Sequence, residues 1–385
     1  MSNSSNRRYI AIGLENADGS VTGPMQVIEV LSGFAIKPNG DTKTRDVVRS
    51  SMSQVGSVIG AKNWDLTIPV EMKGAGLDTD GTTVLPPAMH PLLMSCGMVS
   101  EAGAMIAVTG LLGLPKLGDE LTNTTTPGVV GTVAHVVVGD VAGEAVIWVR
   151  DLQTAPTAAD ELAAGAATAT TASVADALVY RLESDRTQYK TAVIHGHMDS
   201  QRRIATRSRS DFSFDWTAGE FCKAQFSLKG LYQSPANVPL PDAEYSDIEP
   251  PIGQNAGLQL GDYPTDTGTI EKLSFQLGAD IQPVPDINSP NGRHSYRIVG
   301  RKPTGSIDPE VVDLADFNPF DLWANGGKAA IHATLGSVAG ERVSLVLPAT
   351  RMTGISDKER AGSDAYDLSF DVTGIDDDEF YLFFH

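Results

Sequence analysis

The chain has 385 residues, of which 41% are hydrophobic and 20% charged, and its net charge is −19 at neutral pH. This composition is typical of a folded protein with two or three domains and excludes an intrinsically disordered chain. The strong negative charge argues against a protein that grips nucleic acid. No apolar run approaches the roughly 18 residues that predict a membrane span. Two cysteines exclude a disulfide framework. Because the first residues also lack the apolar segment of a secretory signal, we expect assembly in the cytoplasm.

The acidic residues are unevenly distributed. Residues 237–385 hold 24 acidic and 10 basic residues, and residues 104–178 hold 8 and 2, whereas the remainder is close to neutral. Acidity of this size also serves solubility alone. The charge therefore argues against nucleic acid as a tightly bound partner but does not by itself indicate a function.

The first hundred residues predict strands, a long loop and a short helix. Residues 25–38 read as a strand pair that enters a turn at Pro38–Asp41. The polar stretch Thr42–Lys62 predicts a long loop. Residues 65–73 alternate strictly between apolar and polar side chains, which indicates a half-buried strand. Residues 86–97, with proline near the start and glycine at the end, predict a short helix.

The middle of the chain has a different composition and pattern of predicted strands. Residues 118–122, 131–136 and 145–149 predict the strands of a small β unit, and the Ala/Thr-rich stretch Ala163–Ala172 predicts a linker out of it. The earlier pattern resumes at Val179. The segment 104–178 is therefore predicted to be a module inserted into a larger unit.

Alternating strands then return. They are predicted at residues 212–217, 222–229 and 367–373, and the Pro- and Asn-rich residues 233–258 predict a linker. The Gly and Pro content, 38 and 22 residues, fits many short strands joined by turns. The sequence therefore predicts an all-β fold with short helices.

Three segments of the first part recur in the same order in the last part. Residues 27–38 resemble residues 270–283, residues 90–97 resemble residues 318–326, and residues 212–221 resemble residues 368–380. Three echoes in one order predict a duplicated fold. Chains with two copies of one unit are often assembly subunits.

A few residues could carry chemistry, but each has a simpler explanation. His195 and His197 lie at i and i+2 on one face of a strand and could share Zn²⁺, although no further ligand is evident nearby. The basic run Arg202–Arg209 could touch phosphate, but in so acidic a chain we expect it to pair with carboxylates of a neighbouring subunit. The acidic run Asp376–Glu379 departs from an EF-hand loop and predicts an acidic turn. Cys96 and Cys222 are expected to be buried and inert.

No nucleophile elbow, phosphate loop or dinucleotide fingerprint occurs in the sequence. We therefore predict no catalytic residues, no metal and no cofactor.

The order of these patterns resembles the major tail tube proteins of long, flexible-tailed (siphovirus-type) bacteriophages. The resemblance covers most of residues 8–100 and 179–385. It rests on the strand, loop and strand from Val27 to Gly74, the Pro-rich helix ending at Gly97, residues 212–235, and residues 298–309 with the final 379–384. The inserted segment is similar to small β modules that decorate virion proteins.

The resemblance implies two tandem tail-tube-like β-sandwich or barrel domains plus a small inserted β domain. The first domain would comprise residues 1–103 and 179–236, the insertion residues 104–178 and the second domain residues 237–385. Two tube units in a chain imply trimeric rings with pseudo-sixfold symmetry that stack into a hollow virion tail. The implied partners are further copies of the chain, a tape-measure protein, and tail tip and terminator proteins. DNA would pass through the lumen without specific binding.

The resemblance also implies roles for particular residues. The loop Asn39–Lys62 would reach the next ring, and its candidate inter-ring contacts are Lys43, Arg45, Asp46 and Arg49. An acidic lumen would let DNA slide without attraction. The candidate lumen residues, taken from the polar faces of alternating strands, are Asp65, Glu71, Asp211, Asp215, Asp367 and Asp371.

Two other functions remain open at this point. One is a carbohydrate-binding virion or surface protein that works through the insertion, which offers Trp148 almost alone as an aromatic contact. The other is a metal-dependent hydrolase centred on His195 and His197.

Overall fold

The structure is a computed structural model that describes residues 8–16, 20–51, 53, 55–139 and 141–385. The first stretch contains β1 (Arg8–Glu15), β2 (Val21–Val27), β3 (Ala35–Lys43), β4 (Val58–Glu71) and α1 (His90–Ser95). There follow β5 (Met98–Leu112), β6 (Glu120–Asn123), β7 (Gly128–Val138), β8 (Ala145–Arg150), β9 (Glu161–Ala164) and β10 (Ala167–Leu182). Next come β11 (Thr191–Met198), β12 (Gln201–Thr217), β13 (Lys223–Tyr232) and β14 (Ala236–Asn237). The last stretch contains β15 (Gln259–Leu260), β16 (Ile270–Gln276), β17 (Ala279–Pro285), β18 (Arg293–Arg301), β19 (Thr304–Pro309), α2 (Pro319–Asn325), β20 (Ala329–Leu335), β21 (Val343–Arg360), β22 (Ser363–Val372) and β23 (Tyr381–Phe384). The all-β prediction with short helices is confirmed.

Both helices are short, and each ends at a glycine. The predicted helix 86–97 is limited to α1, with Pro91 in its first turn, and Gly97 follows at a φ of +82°. The Asn318 side chain caps α2 by accepting hydrogen bonds from the backbone N–H of Phe320 and Asp321, and Gly326 closes the helix at a φ of +63°. The echo between residues 90–97 and 318–326 therefore marks a helix in each half.

Eight strands form one antiparallel array, which we call the long sheet. Its order is β3, β4, β13, β12, β16, β19, β22, β21. Apolar residues on one side of it, such as Ile68, Phe226 and Leu368, are fully buried. Period-2 alternation places the polar residues of the same strands on the other side.

The two halves of the long sheet have the same strand order. In the first half a hairpin from β12 places β13 between β12 and β4, and in the second a hairpin from β21 places β22 between β21 and β19. By sheet position β12 therefore corresponds to β21, and β13 to β22. The sequence echo of residues 212–217 with 368–373 instead matches β12 with β22, so this echo relates strands at different positions.

A second layer covers the apolar side of the long sheet. β11 pairs with the first part of β12 and β1 pairs with β11, whereas β20 and β23 both pair with the first part of β21. β12 and β21 thus pass from one layer into the other. The main apolar core between the layers includes residues from both halves, among them Trp64, Phe212, Phe275 and Phe370.

The chain between α1 and β11 has no counterpart between α2 and β20. It runs out along β5 and returns along β10. These two strands pair along nearly their whole length, from Met98 opposite Leu182 to Leu112 opposite Thr168. Its distal strands enclose an apolar cluster of their own, which includes Ile106, Val133 and Ile147. The predicted linker 163–172 is wrong. Those residues form β9 and the start of β10, because alternation of alanine and threonine suits a small, half-buried sheet.

Two hairpin arms extend from one end of the long sheet. The first is the outer part of β3 and β4 with its connecting residues, and the second is β17 and β18. The turn predicted at Pro38–Asp41 is wrong, because Pro38 and Gly40 pair with Trp64 and Lys62 within the first arm. β3 is an edge strand, where a proline is tolerated.

Candidate functional site

The side of the long sheet that faces away from the core is its polar face. One row of opposed residues crosses six strands, and it reads Glu71, Lys223, Asp215, Ser274, Ser306 and Ser369. The Ser274 and Ser306 hydroxyls lie 2.7 Å apart within this row. The structure places all of the predicted lumen residues on the polar face, namely Asp65, Glu71, Asp211, Asp215, Asp367 and Asp371.

Basic residues accompany most of these carboxylates. Lys223 lies opposite both Glu71 and Asp215. The Lys272 ammonium is 3.2 Å from the Asp215 carboxylate, and Lys302 is 3.5 Å from Asp371. These ion pairs are exposed and contribute little to stability. They do reduce the net negative charge of the polar face, which is therefore smaller than its acidic residues alone would give.

Three of the six carboxylates have neutral partners, although Asp65 also lies opposite Lys37 and Lys229 in the sheet. The Asn39 and Asn63 side-chain amides donate to the two oxygens of Asp65, at 2.7 and 2.6 Å. The backbone N–H of Ala279 donates to Asp211 at 2.9 Å, which ties that carboxylate to the start of β17. Asp367 lies opposite Ser356 and is exposed.

The candidate inter-ring residues lie at the tip of the first arm. Lys43 ends β3, and Arg45, Asp46 and Arg49 belong to the connection between β3 and β4, which is exposed where it is described. The predicted loop 39–62 is thus shorter than expected, because strand pairing continues outward as far as Lys43 and Val58.

The two arms contact one another side by side. Arg293 on the second arm donates to the Asn63 side chain at 2.6 Å and to the Tyr296 hydroxyl at 2.9 Å. The Lys62 backbone N–H donates to the Asn291 carbonyl at 3.1 Å. The first half and the second half therefore present their arms together at one end of the sheet.

The basic run Arg202–Arg209 has partners within the chain. Arg203 donates to the Ile36 carbonyl at 3.0 Å and to the Gln201 side chain, and Arg207 donates to His294. Arg209 stacks over the Tyr189 ring at 5.5 Å, and burial lowers its pKa to about 10. Within the chain these three arginines are engaged by carbonyls, an amide and rings, and their pairing with carboxylates of a neighbouring subunit stays a prediction.

An ion cluster that the sequence did not reveal joins three distant segments. Arg301 at the end of β18 donates to the Glu379 carboxylate at 2.7 Å, to Asp377, and to the Glu183 carbonyl at 2.7 Å. The acidic run Asp376–Glu379 is the turn between β22 and β23, as predicted. Its role in binding Arg301 could not be foreseen, because the partner lies 76 residues away in the chain.

Replacing Arg301 by alanine should lower the free energy of unfolding by about 3 kcal/mol, since two carboxylates that are mostly buried would lose their counter-ion. Urea unfolding measures the effect. The neighbouring Lys302 has a side chain that is 75% exposed, so Lys302→Ala is the matched control and should change stability by less than about 0.5 kcal/mol. Equal effects of the two substitutions would contradict a structural role for this cluster.

The chain matches the family model described as phage tail tube protein over residues 5–374. It belongs to the phage tail tube protein family. No curated protein matches it. Family membership implies a structural, non-enzymatic component of the virion tail that assembles with copies of itself into a tube.

The features that suggested other functions have different surroundings in this tube protein. Trp148 is buried against Phe383, with ring centroids 4.7 Å apart, so it is not available to stack on a sugar. His195 and His197 share a face of β11, and within the described ranges no group of three or more His, Cys, Asp or Glu residues is arranged to hold a metal ion. Cys96 and Cys222 are both buried, and burial raises the pKa of the Cys222 thiol to about 12. No helix in the described part of the chain is long and apolar enough to span a membrane.

Proposed function

We propose that the chain polymerises into stacked rings that form the hollow tail tube of a long, flexible-tailed bacteriophage. The tube conducts DNA during ejection and holds a tape-measure protein before it. Tail tip and terminator proteins close its two ends, and assembly takes place in the host cytoplasm. The observation that carries the proposal is the repeated strand order of the long sheet, whose two halves lie side by side in one continuous array.

The repeated strand order supports two tube units in each chain. We assign residues 1–103 and 179–236 to the first unit, residues 104–178 to an insertion and residues 237–385 to the second unit. The internal seam joins the first unit to the second through β12 and β16, with Phe214 opposite Phe275. Three chains joined by equivalent seams would give a ring with threefold symmetry and six similar lobes.

Both outer edges of the long sheet have backbone groups free to form such a seam. On one edge β3 pairs with β4 alone, and on the other Met352–Arg360 of β21 pairs with β22 alone among the strands of the described ranges. β21 corresponds in position to β12, the strand that forms the internal seam. Open edges are an aggregation hazard in a monomer, and closure into a barrel removes them.

The polar face would line the lumen, and the arm tip with Lys43, Arg45, Asp46 and Arg49 would contact the next ring. Hydroxyls, amides and partly neutralised carboxylates give DNA phosphate no strong site of attraction. The excess of unpaired carboxylates, such as Asp367, would supply the repulsion. The insertion packs on the outside of the second layer through Trp148, Phe383 and Val346, so it would lie on the outer surface of the tube.

Proline substitutions on β21 test ring closure. Successive N–H groups of a strand point to opposite edges. Of the variants Ile355→Pro and Ser356→Pro, one therefore removes a donor to β22 and the other removes a donor at the open edge. The variant that removes the open-edge donor should keep the melting temperature of the monomer but fail to form rings in electron micrographs. If both variants formed rings as readily as the wild type, this edge would not be the seam.

A further inference from the structure

At the end of the long sheet opposite the arms lies a cavity of about 290 Å³. Its walls come from the end of β12, the start of β16, the end of β20 and residues 253–256, and they include Trp216, Leu273 and Leu335. Thr265 and Glu271 lie at its rim and are exposed. The cavity is therefore largely apolar with a polar mouth.

Trp216 provides a hydrogen-bond donor without a partner in this wall. The residue is 5% exposed, and its indole Nε1 has no acceptor among the residues that the structure describes. A buried donor left unsatisfied costs about 1–3 kcal/mol, so an incoming acceptor such as a backbone carbonyl would be favoured here.

A second cavity of about 320 Å³ adjoins the first and shares Gln254 and Asn255 with it. Its lining includes the exposed apolar residues Ile252 and Val338. The linings of the two cavities contain Glu249, Glu271 and Glu341 and no basic side chain. Arg360 lies 3.9 Å from Glu271 but is also shared with Asp308 and Glu310. Arg342 donates to the Ser337 carbonyl at the second cavity, so carboxylates outnumber arginines in this region without being free of them.

The tip of the first arm has the complementary properties. Val48 is fully exposed and Val47 is 45% exposed, which is costly for a surface that remains in water. Lys43, Arg45 and Arg49 flank these valines, with Asp46 as the single acidic residue from position 43 to position 51. The tip is therefore apolar and basic, whereas the opposite end of the sheet is concave and acidic.

We infer that the arm tip of one subunit binds the cavity beside Trp216 of a second copy of the chain in the adjacent ring. Val47 and Val48 enter the apolar mouth, Arg45 and Arg49 face Glu271, and a backbone carbonyl of the tip accepts the Trp216 N–H. A contact between opposite ends is head-to-tail, which generates an open filament rather than a closed dimer. The inference rests on the proposed stacking of rings and identifies the receiving surface.

Disulfide trapping in assembled tubes tests the contact. In the double variant Val48→Cys with Thr265→Cys, oxidation should link chains of successive rings into a ladder of covalent multimers. Val48→Cys with Val129→Cys is the matched control, since Val129 is also exposed but lies on the insertion. The native cysteines are buried and do not compete. Tubes of the Thr265 variant that yield no more multimer than the control would overturn the inference.

A charge exchange gives a second test that needs no cysteine. Glu271→Lys alone, and Arg45→Glu with Arg49→Glu alone, should each reduce the sedimentable tube fraction at least tenfold at low salt, where screening is weakest. All three substitutions together should restore at least half of it, and failure to restore would overturn the pairing. If wild-type tubes form without a contact between the arm tip and this cavity, only the inference is contradicted. If the protein is absent from virion tails, the proposed function itself is contradicted.

Discussion

Replacing Phe212 by alanine should lower the free energy of unfolding by about 3–5 kcal/mol, the largest effect expected of any single core substitution in this chain. The Phe212 side chain is fully buried at the centre of the main core. Its ring contacts Phe226 with centroids 5.2 Å apart, and it also meets Phe275 at 6.2 Å and Phe380 at 6.3 Å. A cavity at this point would remove aromatic contacts as well as apolar burial.

The substitution also tests whether the two halves of the long sheet fold together. Phe226 belongs to the first half, whereas Phe275 and Phe380 belong to the second, so Phe212 joins the two. We therefore expect one cooperative unfolding transition of this core, shifted as a whole to lower denaturant.

Urea unfolding followed by tryptophan fluorescence and by circular dichroism measures both effects. Phe320→Ala is the matched control, because Phe320 is 45% exposed on α2 and should cost less than about 1 kcal/mol. A second transition attributable to residues 237–385 that Phe212→Ala leaves unshifted would contradict a shared core.

The second large effect is a loss of stability in mild acid. His135 on the insertion and His332 on β20 face one another with ring centroids 5.4 Å apart, and His385 bonds to the Ser344 hydroxyl at 2.8 Å. Burial lowers the pKa of each of these three histidines to about 4. They lie around the apolar contact between the insertion and the second layer, which includes Trp148.

The direction of the pH dependence follows from these shifts. An unfolded histidine takes up a proton near pH 6.5, whereas the folded protein resists protonation until about pH 4. The contribution to stability is therefore fully present above pH 6.5, falls between pH 6.5 and about 4, and is constant below. For buried His332 and His385 the loss is on the order of 3 kcal/mol each.

Urea unfolding at pH 7.5, 6, 5 and 4 measures this loss. His332→Phe keeps a ring of similar size but removes the titrating group, so its stability should fall less than that of the wild type over this range. His294→Gln is the control, because the His294 side chain is 58% exposed, and it should follow the wild-type curve. Parallel curves for His332→Phe and the wild type would contradict the assignment to His332.

The sequence predicted the strands where one face is buried and failed where tertiary pairing decides. Alternation identified residues 65–73 and 222–229, because every second side chain packs into the core. Pro38–Asp41 has the composition of a turn, but pairing with β4 keeps it extended. The alanine- and threonine-rich residues 163–172 have the composition of a linker, yet β5 and β9 supply the partners that make them strand.

The sequence predicted the polar residues of the candidate site strand by strand, but it could not predict which charged residues lie next to one another. Alternation was sufficient to place Asp215 and Asp371 on a polar face. Their partners Lys272 and Lys302 come from another strand and from a connection in the sheet, and sequence order does not disclose such neighbours. The same limit concealed the correspondence of β12 with β21, since similar strands of one sheet can echo one another without sharing a position.

The most direct test of two tube units in a ring-forming subunit is the rotational symmetry of the ring. Electron micrographs of tubes assembled from the purified protein and of virion tails can be averaged in end view and in cross-section. We predict hollow rings with threefold symmetry, six similar inner lobes and three outer densities from the insertion. Rings with true sixfold symmetry would retain the tube but contradict two tube units in each chain, and virion tails without this protein would contradict the function.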